Sequence, residues 1–117
     1  MKVESVDFLT VPSRDVARSV AWYADVLGLE PGAPGEVETP NVTISFWNPE
    51  ADGETFAPHV GGFALRVADV QEARRELEVR GVEFRGETYD SGVCHMGFFQ
   101  DPDGNTIILH RRYGARG

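Results

Sequence analysis

The chain has 117 residues, of which 41 % are apolar and 26 % charged, and these proportions are typical of one compact folded domain. A formal net charge of -8, with 11 Lys and Arg against 19 Asp and Glu, argues against a nucleic-acid partner, because a polyanion requires a basic surface. The single cysteine, Cys94, excludes an internal disulfide and a multi-cysteine metal cluster.

Hydropathy gives no sign of a membrane partner or of export. No stretch approaches the roughly 18 consecutive apolar residues that a membrane span needs. The N-terminal sequence MKVESVDFLTV lacks the apolar stretch and cleavage site of a signal peptide. We therefore expect a cytoplasmic protein.

The first half of the chain predicts a strand, a helix and two or three further strands. Residues 3–11 are rich in apolar and β-branched residues and predict a strand that Pro12 ends. Ser13 and Asp15 are candidate N-caps for a helix whose apolar residues recur at helical spacing up to Gly28. After a loop rich in Gly and Pro, residues 42–47 alternate between apolar and more polar side chains, as a two-faced strand does.

The second half repeats this order of elements. Residues 62–67 alternate as a strand, Asp69 can cap a helix, and Gly81 ends that helix. Three strands are then predicted, at residues 81–86, 93–99 and 106–113.

Two copies of one module are the simplest interpretation, because Phe63 repeats the position of Phe8 at a period of about 55 to 60 residues. One domain spanning residues 1–117 would contain module 1 at about residues 3–50, a linker at about 48–60 and module 2 at about 60–113. Each module alone would expose one face of its sheet. We therefore expect the copies to form one curved sheet with the helices outside and a concave cavity within.

Three stretches together resemble the vicinal oxygen chelate superfamily, which includes glyoxalase I, bleomycin resistance proteins, fosfomycin resistance enzymes and extradiol dioxygenases. They are VDFLTVPSRDVARSVAWYADVLGL at 6–29, GGFALRVADVQEARRELEVRGVEF at 61–84 and FFQDPDGNTIIL at 98–109. The resemblance implies an α+β fold of two βαβββ modules that form a half-open barrel with helices outside. It also implies a homodimer with a small-molecule ligand in the cavity of each chain.

The resemblance further implies where a catalytic metal would be held, on the cavity faces of the strands, to stabilise oxyanion charge. The matching positions are Phe8, Ser45, Gly62 and Ile108. A divalent cation needs several carboxylate or imidazole ligands, and these positions offer only one weak hydroxyl. We therefore expect neither a metal nor another cofactor. The alternative is a metal site with non-standard ligands, formed by His95, His110 and a carboxylate such as Glu36 or Glu38.

The DPDGN stretch at residues 101–105 has an explanation that needs no chemistry. Asp and Asn side chains bond local backbone, Pro102 fixes φ, and Gly104 permits a positive φ, so these residues close a tight turn between two strands.

Strand parity predicts which side chains line a ligand cavity. His110 is a candidate hydrogen-bonding group or general base for a ligand. Alternatively, it is a histidine that ends the strand and bonds only to backbone or water. Trp47 could stack on a planar ligand, or could instead cover the core or lie in a dimer interface. Arg66 could meet a carboxylate, although an exposed Arg at a strand end is common. The predicted ligand-binding residues are Phe8, Thr10, Ser45, Trp47, Ala64, Cys94, Met96, Phe98, Ile108 and His110.

Two classes of function remain open at this point. The first is a metal-independent protein that binds and sequesters a small aromatic or cationic natural product, as bleomycin resistance proteins do. The second is an enzyme of lyase, isomerase or dioxygenase type that uses non-standard metal ligands or His110 with Cys94. For Cys94 and Met96, ordinary core packing competes with a place in the ligand cavity.

Overall fold

The computed structural model describes residues 1–115, and the chain divides into two compact units, Met1–Pro58 and a second that begins at His59. Each unit contains one helix and one four-stranded sheet.

The first unit has the order strand, helix and three strands. Its elements are β1 (Phe8–Pro12), α1 (Val16–Leu27), β2 (Glu30–Pro31), β3 (Glu36–Glu38) and β4 (Thr43–Trp47), followed by a 3₁₀ turn at Pro49–Asp52. In the sheet the strand order is β1-β4-β3-β2, with β1 parallel to β4 and the other pairs antiparallel.

The second unit repeats this arrangement. Its elements are β5 (Phe63–Arg66), α2 (Val70–Val79), β6 (Tyr89–Asp90), β7 (Cys94–Gln100) and β8 (Thr106–Arg112). The strand order β5-β8-β7-β6 matches that of the first sheet, again with one parallel and two antiparallel pairs. The predicted α+β fold of two βαβββ modules is therefore confirmed.

Both helices begin where the sequence predicted. The side chains of Asp15 and Asp69 accept hydrogen bonds from the backbone N–H groups of Arg18 and Glu72, each at 3.0 Å. An N-cap of this kind satisfies a donor at the helix N-terminus that has no partner within the helix, which stabilises the helix by about 1 kcal/mol. Gly28 then ends the first helix in the left-handed conformation, at φ 73°.

Each helix covers one face of its own sheet. Tyr23 of α1 is fully buried, and its ring packs edge-on against Phe46 of β4 at a centroid distance of 4.7 Å. In the second unit Val70 and Leu77 of α2 are buried together with Phe99, Ile107 and Leu109 of the sheet. Because the helix covers this face of each sheet, the opposite face is the one that can carry a site.

Three local predictions were wrong. Residues 3–7 are not part of β1, and Val3 and Val6 are exposed, because the partner strand β4 begins at Thr43, opposite Phe8. Residues 81–86 form only an isolated bridge between Phe84 and Phe99. The short strand β6 was not predicted, since two residues carry no periodic signal.

The DPDGN turn is confirmed as a closed hydrogen-bonded loop. One carboxylate oxygen of Asp101 accepts from the backbone N–H groups of Asp103 and Asn105, at 2.9 and 3.0 Å. The amide of Asn105 donates to the other oxygen at 2.8 Å and accepts from the backbone N–H of His59 at 2.9 Å. Both side chains are buried. The turn thus ties the segment before β5 to the start of β8.

In the part of the chain that the structure describes, no helix is long and apolar enough to cross a membrane.

Candidate ligand-binding faces

The first open face is the side of the first sheet that faces away from α1. It carries Phe8 and Thr10 of β1 beside Thr43 and Ser45 of β4, with Trp47 at the end of β4. These residues alternate with the buried Val11, Ile44 and Phe46, as strand geometry requires. The structure therefore brings together all four site residues predicted for this unit, which are Phe8, Thr10, Ser45 and Trp47.

Two aromatic side chains on this face are unusually exposed. Phe8 retains 57 % of its accessible surface and Trp47 retains 40 %. The indole N–H of Trp47 donates to a carboxylate oxygen of Asp52 at 2.6 Å, which restricts the orientation of the ring. An exposed aromatic ring held in one orientation, as that of Trp47 is, is suited to stacking against a planar ligand.

Strand β3 adds two carboxylates that are not among the predicted ligand-binding residues. Glu36 pairs with Ser45 and Glu38 with Thr43, so both side chains lie on the first open face. Glu38 accepts a hydrogen bond from the hydroxyl of Thr43 at 2.7 Å. The alternation Glu-Val-Glu around the buried Val37 was the available signal.

The second open face is the side of the second sheet that faces away from α2. Two rows of residues cross it, because cross-strand partners share a face. One row joins Ala64, Ile108 and Phe98, and the other joins Arg66, His110 and Met96. Parity placed six predicted site residues here, and all but Cys94 are half-buried or exposed, namely Ala64, Met96, Phe98, Ile108 and His110.

Cys94 shares the parity of this face, opposite Arg112 in the antiparallel pair. It is only 5 % exposed, in a turn where its backbone N–H donates to the hydroxyl of Ser91 at 3.0 Å. A thiol buried in this way packs as a small apolar group, and its adjacent His95 points to the opposite face. These observations support packing rather than nucleophilic catalysis for Cys94.

The residues at the implied metal positions do not fit a divalent cation. Gly62 has φ +75°, and a Cβ added there would lie 2.4 Å from the carbonyl oxygen of Thr106, so the backbone leaves no room for a ligating side chain. Phe8 and Ile108 offer no donor atom, which leaves the hydroxyl of Ser45. Within residues 1–115 there is no group of three or more His, Cys, Asp or Glu side chains arranged to hold a metal.

His110 and His95 lie on opposite faces of the second sheet, since Met96 is the partner of His110. The ring of His95 stacks on Tyr113 at a centroid distance of 4.6 Å, and its Nε2 lies 3.3 Å from a carboxylate oxygen of Asp90. His110 is half-buried and has no side-chain partner among the described residues. Of the two, His110 is the one available to a ligand on the open face.

Asp90 and Tyr113 form a surface hydrogen bond beside His95. The phenol of Tyr113 donates to Asp90 at 2.6 Å. This bond, with the backbone N–H of Gly92 and then His95, lowers the pKa of Asp90 from 3.8. The same bond, with the nearby negative charge, raises the pKa of Tyr113 from 10.0. Both groups are exposed, so the bond tethers the end of β8 rather than contributing to the core.

Replacing Tyr113 with Phe is expected to remove the pH-dependent part of protein stability that comes from the hydrogen bond between Tyr113 and Asp90. The lowered pKa of Asp90 contributes stability that is present above pH 3.8 and is lost as the pH falls through the lowered value. The raised pKa of Tyr113 contributes stability that is present below pH 10.0 and is lost as the pH rises through the raised value. The difference in Tm between wild type and Tyr113→Phe should therefore be largest between these limits and shrink beyond each. A difference that is constant across the pH range would contradict this assignment.

Comparison with known proteins identifies the family. The model of the Glyoxalase/Bleomycin resistance protein/Dioxygenase superfamily matches residues 5–109. The chain therefore belongs to this superfamily. No curated protein matched the chain.

Solved structures share the fold at low sequence identity. A member of the Glyoxalase/bleomycin resistance protein/dioxygenase superfamily from Sphaerobacter thermophilus is 23 % identical with a TM-score of 0.79, and the match covers 92 % of this chain and 97 % of that one. TnmS3, an antibiotic binding protein from Streptomyces sp. CB03234, is 24 % identical with a TM-score of 0.76, covering 96 % and 98 %. A glyoxalase/bleomycin resistance protein from the same organism is 24 % identical with a TM-score of 0.71, covering 92 % and 100 %.

Proposed function

We propose that this chain is a metal-independent protein that binds and sequesters a small natural product of aromatic or cationic character. The observation that carries the proposal is Phe8, which stands at the position implied for the first metal ligand and exposes 57 % of its surface on the first open face, beside Thr43. An apolar ring at that position can bind a ligand by stacking and cannot bind a metal. TnmS3, a protein of the same fold, is an antibiotic binding protein, which agrees with this role.

The spacing of the aromatic residues supports an extended planar ligand. Phe8 lies level with Thr43, and Trp47 lies four residues further along β4, which corresponds to about 13 Å at the rise of a strand. Between them lie the hydroxyl groups of Thr10 and Ser45, which can hydrogen-bond polar substituents. Burying each exposed ring would contribute about 1.5 to 3 kcal/mol to binding.

The carboxylates of Glu36 and Glu38 support a cationic group as the second option. Both lie on the first open face, one strand away from Ser45 and Thr43. An ammonium group near these residues would gain a charge-assisted hydrogen bond while the rest of the ligand contacts the aromatic rings. A ligand with both features would use the whole face.

Titration with a panel of planar polycyclic natural products tests the proposal. We expect at least one to quench tryptophan fluorescence, and calorimetry should show binding weakened about tenfold or more in Trp47→Phe, since about 1.4 kcal/mol of stacking is lost. Trp22→Phe is the matched control, because Trp22 lies on helix α1 with its ring against Tyr23 at 5.2 Å. An affinity that is unchanged in Trp47→Phe, or no binding by any member of the panel, would contradict the proposal.

A further inference from the structure

The second open face carries positive charge in a protein that is strongly acidic. Arg66, His110 and Arg112 lie on this face, and no Asp or Glu of strands β5 to β8 shares it. The chain as a whole has 19 Asp and Glu against 11 Lys and Arg, so a local excess of basic side chains is not the expected outcome of composition.

These basic side chains have no partner in the part of the chain that the structure describes. Arg14 pairs with Glu50, and Arg74 with Glu78. By contrast, Arg66, His110 and Arg112 form no hydrogen bond or ion pair through their side chains within residues 1–115. Their hydrogen-bond donors therefore remain available to a ligand.

One row across all four strands combines these donors with an apolar platform. Arg66 of β5 is the partner of His110 of β8, which is the partner of Met96 of β7, which is the partner of Tyr89 of β6. Tyr89 is 53 % exposed. At about 4.8 Å per strand, the Cα positions of this row span roughly 14 Å. Its basic end and its aromatic end lie at opposite sides of the sheet.

We propose that this row is a subsite for a planar aromatic acid, with the carboxylate on Arg66 and His110 and the ring over Met96 and Tyr89. A guanidinium presents two parallel N–H donors that match the two oxygens of a carboxylate. Thioether and phenol side chains both pack favourably against an aromatic ring. Arg112, two residues beyond His110 on the same face, adds a second positive charge that favours the anion. The inference rests on the proposed function, because it specifies the ligand class of a small-molecule binding protein.

Three probes of matched shape test the subsite: naphthoate, the neutral naphthamide and the cationic naphthylmethylamine. Binding is followed by calorimetry and by the fluorescence anisotropy of the probe. We expect naphthoate to bind about tenfold more tightly than naphthamide, and Arg66→Gln to leave the affinity for naphthylmethylamine nearly unchanged, because Glu36 and Glu38 of the first open face are the groups that would hold an ammonium. Arg66→Gln should remove most of the preference for the acid while leaving the affinity for naphthamide nearly unchanged.

Arg111→Gln is the matched control, since Arg111 is an exposed arginine of the same strand β8 whose partner His95 places it on the opposite face. It removes the same charge from the protein, and it should leave the preference for naphthoate intact. An equal loss in Arg66→Gln and Arg111→Gln would overturn the inference, because it would reveal only a general effect of net charge.

The remaining outcomes separate this inference from the proposed function. If polycyclic natural products bind but naphthoate binds no more tightly than naphthamide, or none of the probes binds, the acid subsite is wrong and the proposed function stands. If neither the probes nor the polycyclic compounds bind, the proposed function fails and the inference fails with it.

Discussion

Gly62→Ala is expected to lower the free energy of unfolding by roughly 2 to 4 kcal/mol, a large fraction of the stability of a small protein. Gly62 adopts φ +75°, which an L-residue rarely adopts. A Cβ there would also lie 2.4 Å from the carbonyl oxygen and 2.9 Å from the carbonyl carbon of Thr106, and neither backbone atom can move without shifting β8. The measurement is the midpoint and slope of urea unfolding.

Gly81→Ala separates the cost of the positive φ from the cost of the close approach to Thr106. Gly81 also has a positive φ, of +91°, but a Cβ there would meet no atom within 4 Å. Only the conformational cost applies, and about 1 kcal/mol is expected. Similar losses in the two variants would mean that the close approach to Thr106 is not a real constraint. Lack of space would then no longer exclude a metal-binding side chain at position 62.

Asp101→Ala is expected to destabilise the protein by about 3 to 5 kcal/mol, because it removes a buried carboxylate that accepts hydrogen bonds from two backbone N–H groups and from the amide of Asn105. The backbone N–H groups of Asp103 and Asn105 would be left in a buried turn without that acceptor, and the amide of Asn105 would lose the bond that orients it toward His59. Urea unfolding again gives the free energy.

Two variants serve as controls for this prediction. Asp101→Asn keeps an acceptor oxygen and should lose less than Asp101→Ala. Asp7→Ala removes a carboxylate from an exposed segment before β1 and should change stability by no more than about 0.5 kcal/mol. If Asp101→Ala cost less than about 1 kcal/mol, the turn would not be held as described.

Local features of the fold could be predicted from the sequence because neighbours in the chain decide them. The capping role of Asp15 and Asp69 depends on a backbone N–H three residues away. The faces of β1, β4, β7 and β8 follow from the alternation of side chains along each strand. For this reason the open-face positions of Phe8, Trp47 and His110 could be assigned before the structure was known.

Features that depend on distant strand pairing could not be predicted in this way. Strand β6 exists because Tyr89 and Asp90 pair with β7, and the contact of Asp90 with His95 and Tyr113 follows from that pairing. The place of Glu36 beside Ser45 depends on the register between β3 and β4. Parity alone placed the side chain of Cys94 on the open face and could not show that it is buried there.

The two open faces differ in charge although the units repeat one fold. Glu36 and Glu38 lie on the first face, and Arg66, His110 and Arg112 lie on the second. One folding pattern therefore carries two unlike sets of functional groups. This supports the general rule that function is decided by the site rather than by the fold.

Ligand affinity measured with and without metal tests the central proposal most directly. The purified protein is analysed for Zn, Mn, Fe and Ni, treated with a chelator, and titrated with the best natural-product ligand before and after each metal is restored. We predict substoichiometric metal and a Kd that stays within about twofold throughout. Near-stoichiometric metal that disappears in His110→Ala, together with ligand binding that returns only when the metal is restored, would contradict metal independence and favour a metal-dependent enzyme with non-standard ligands.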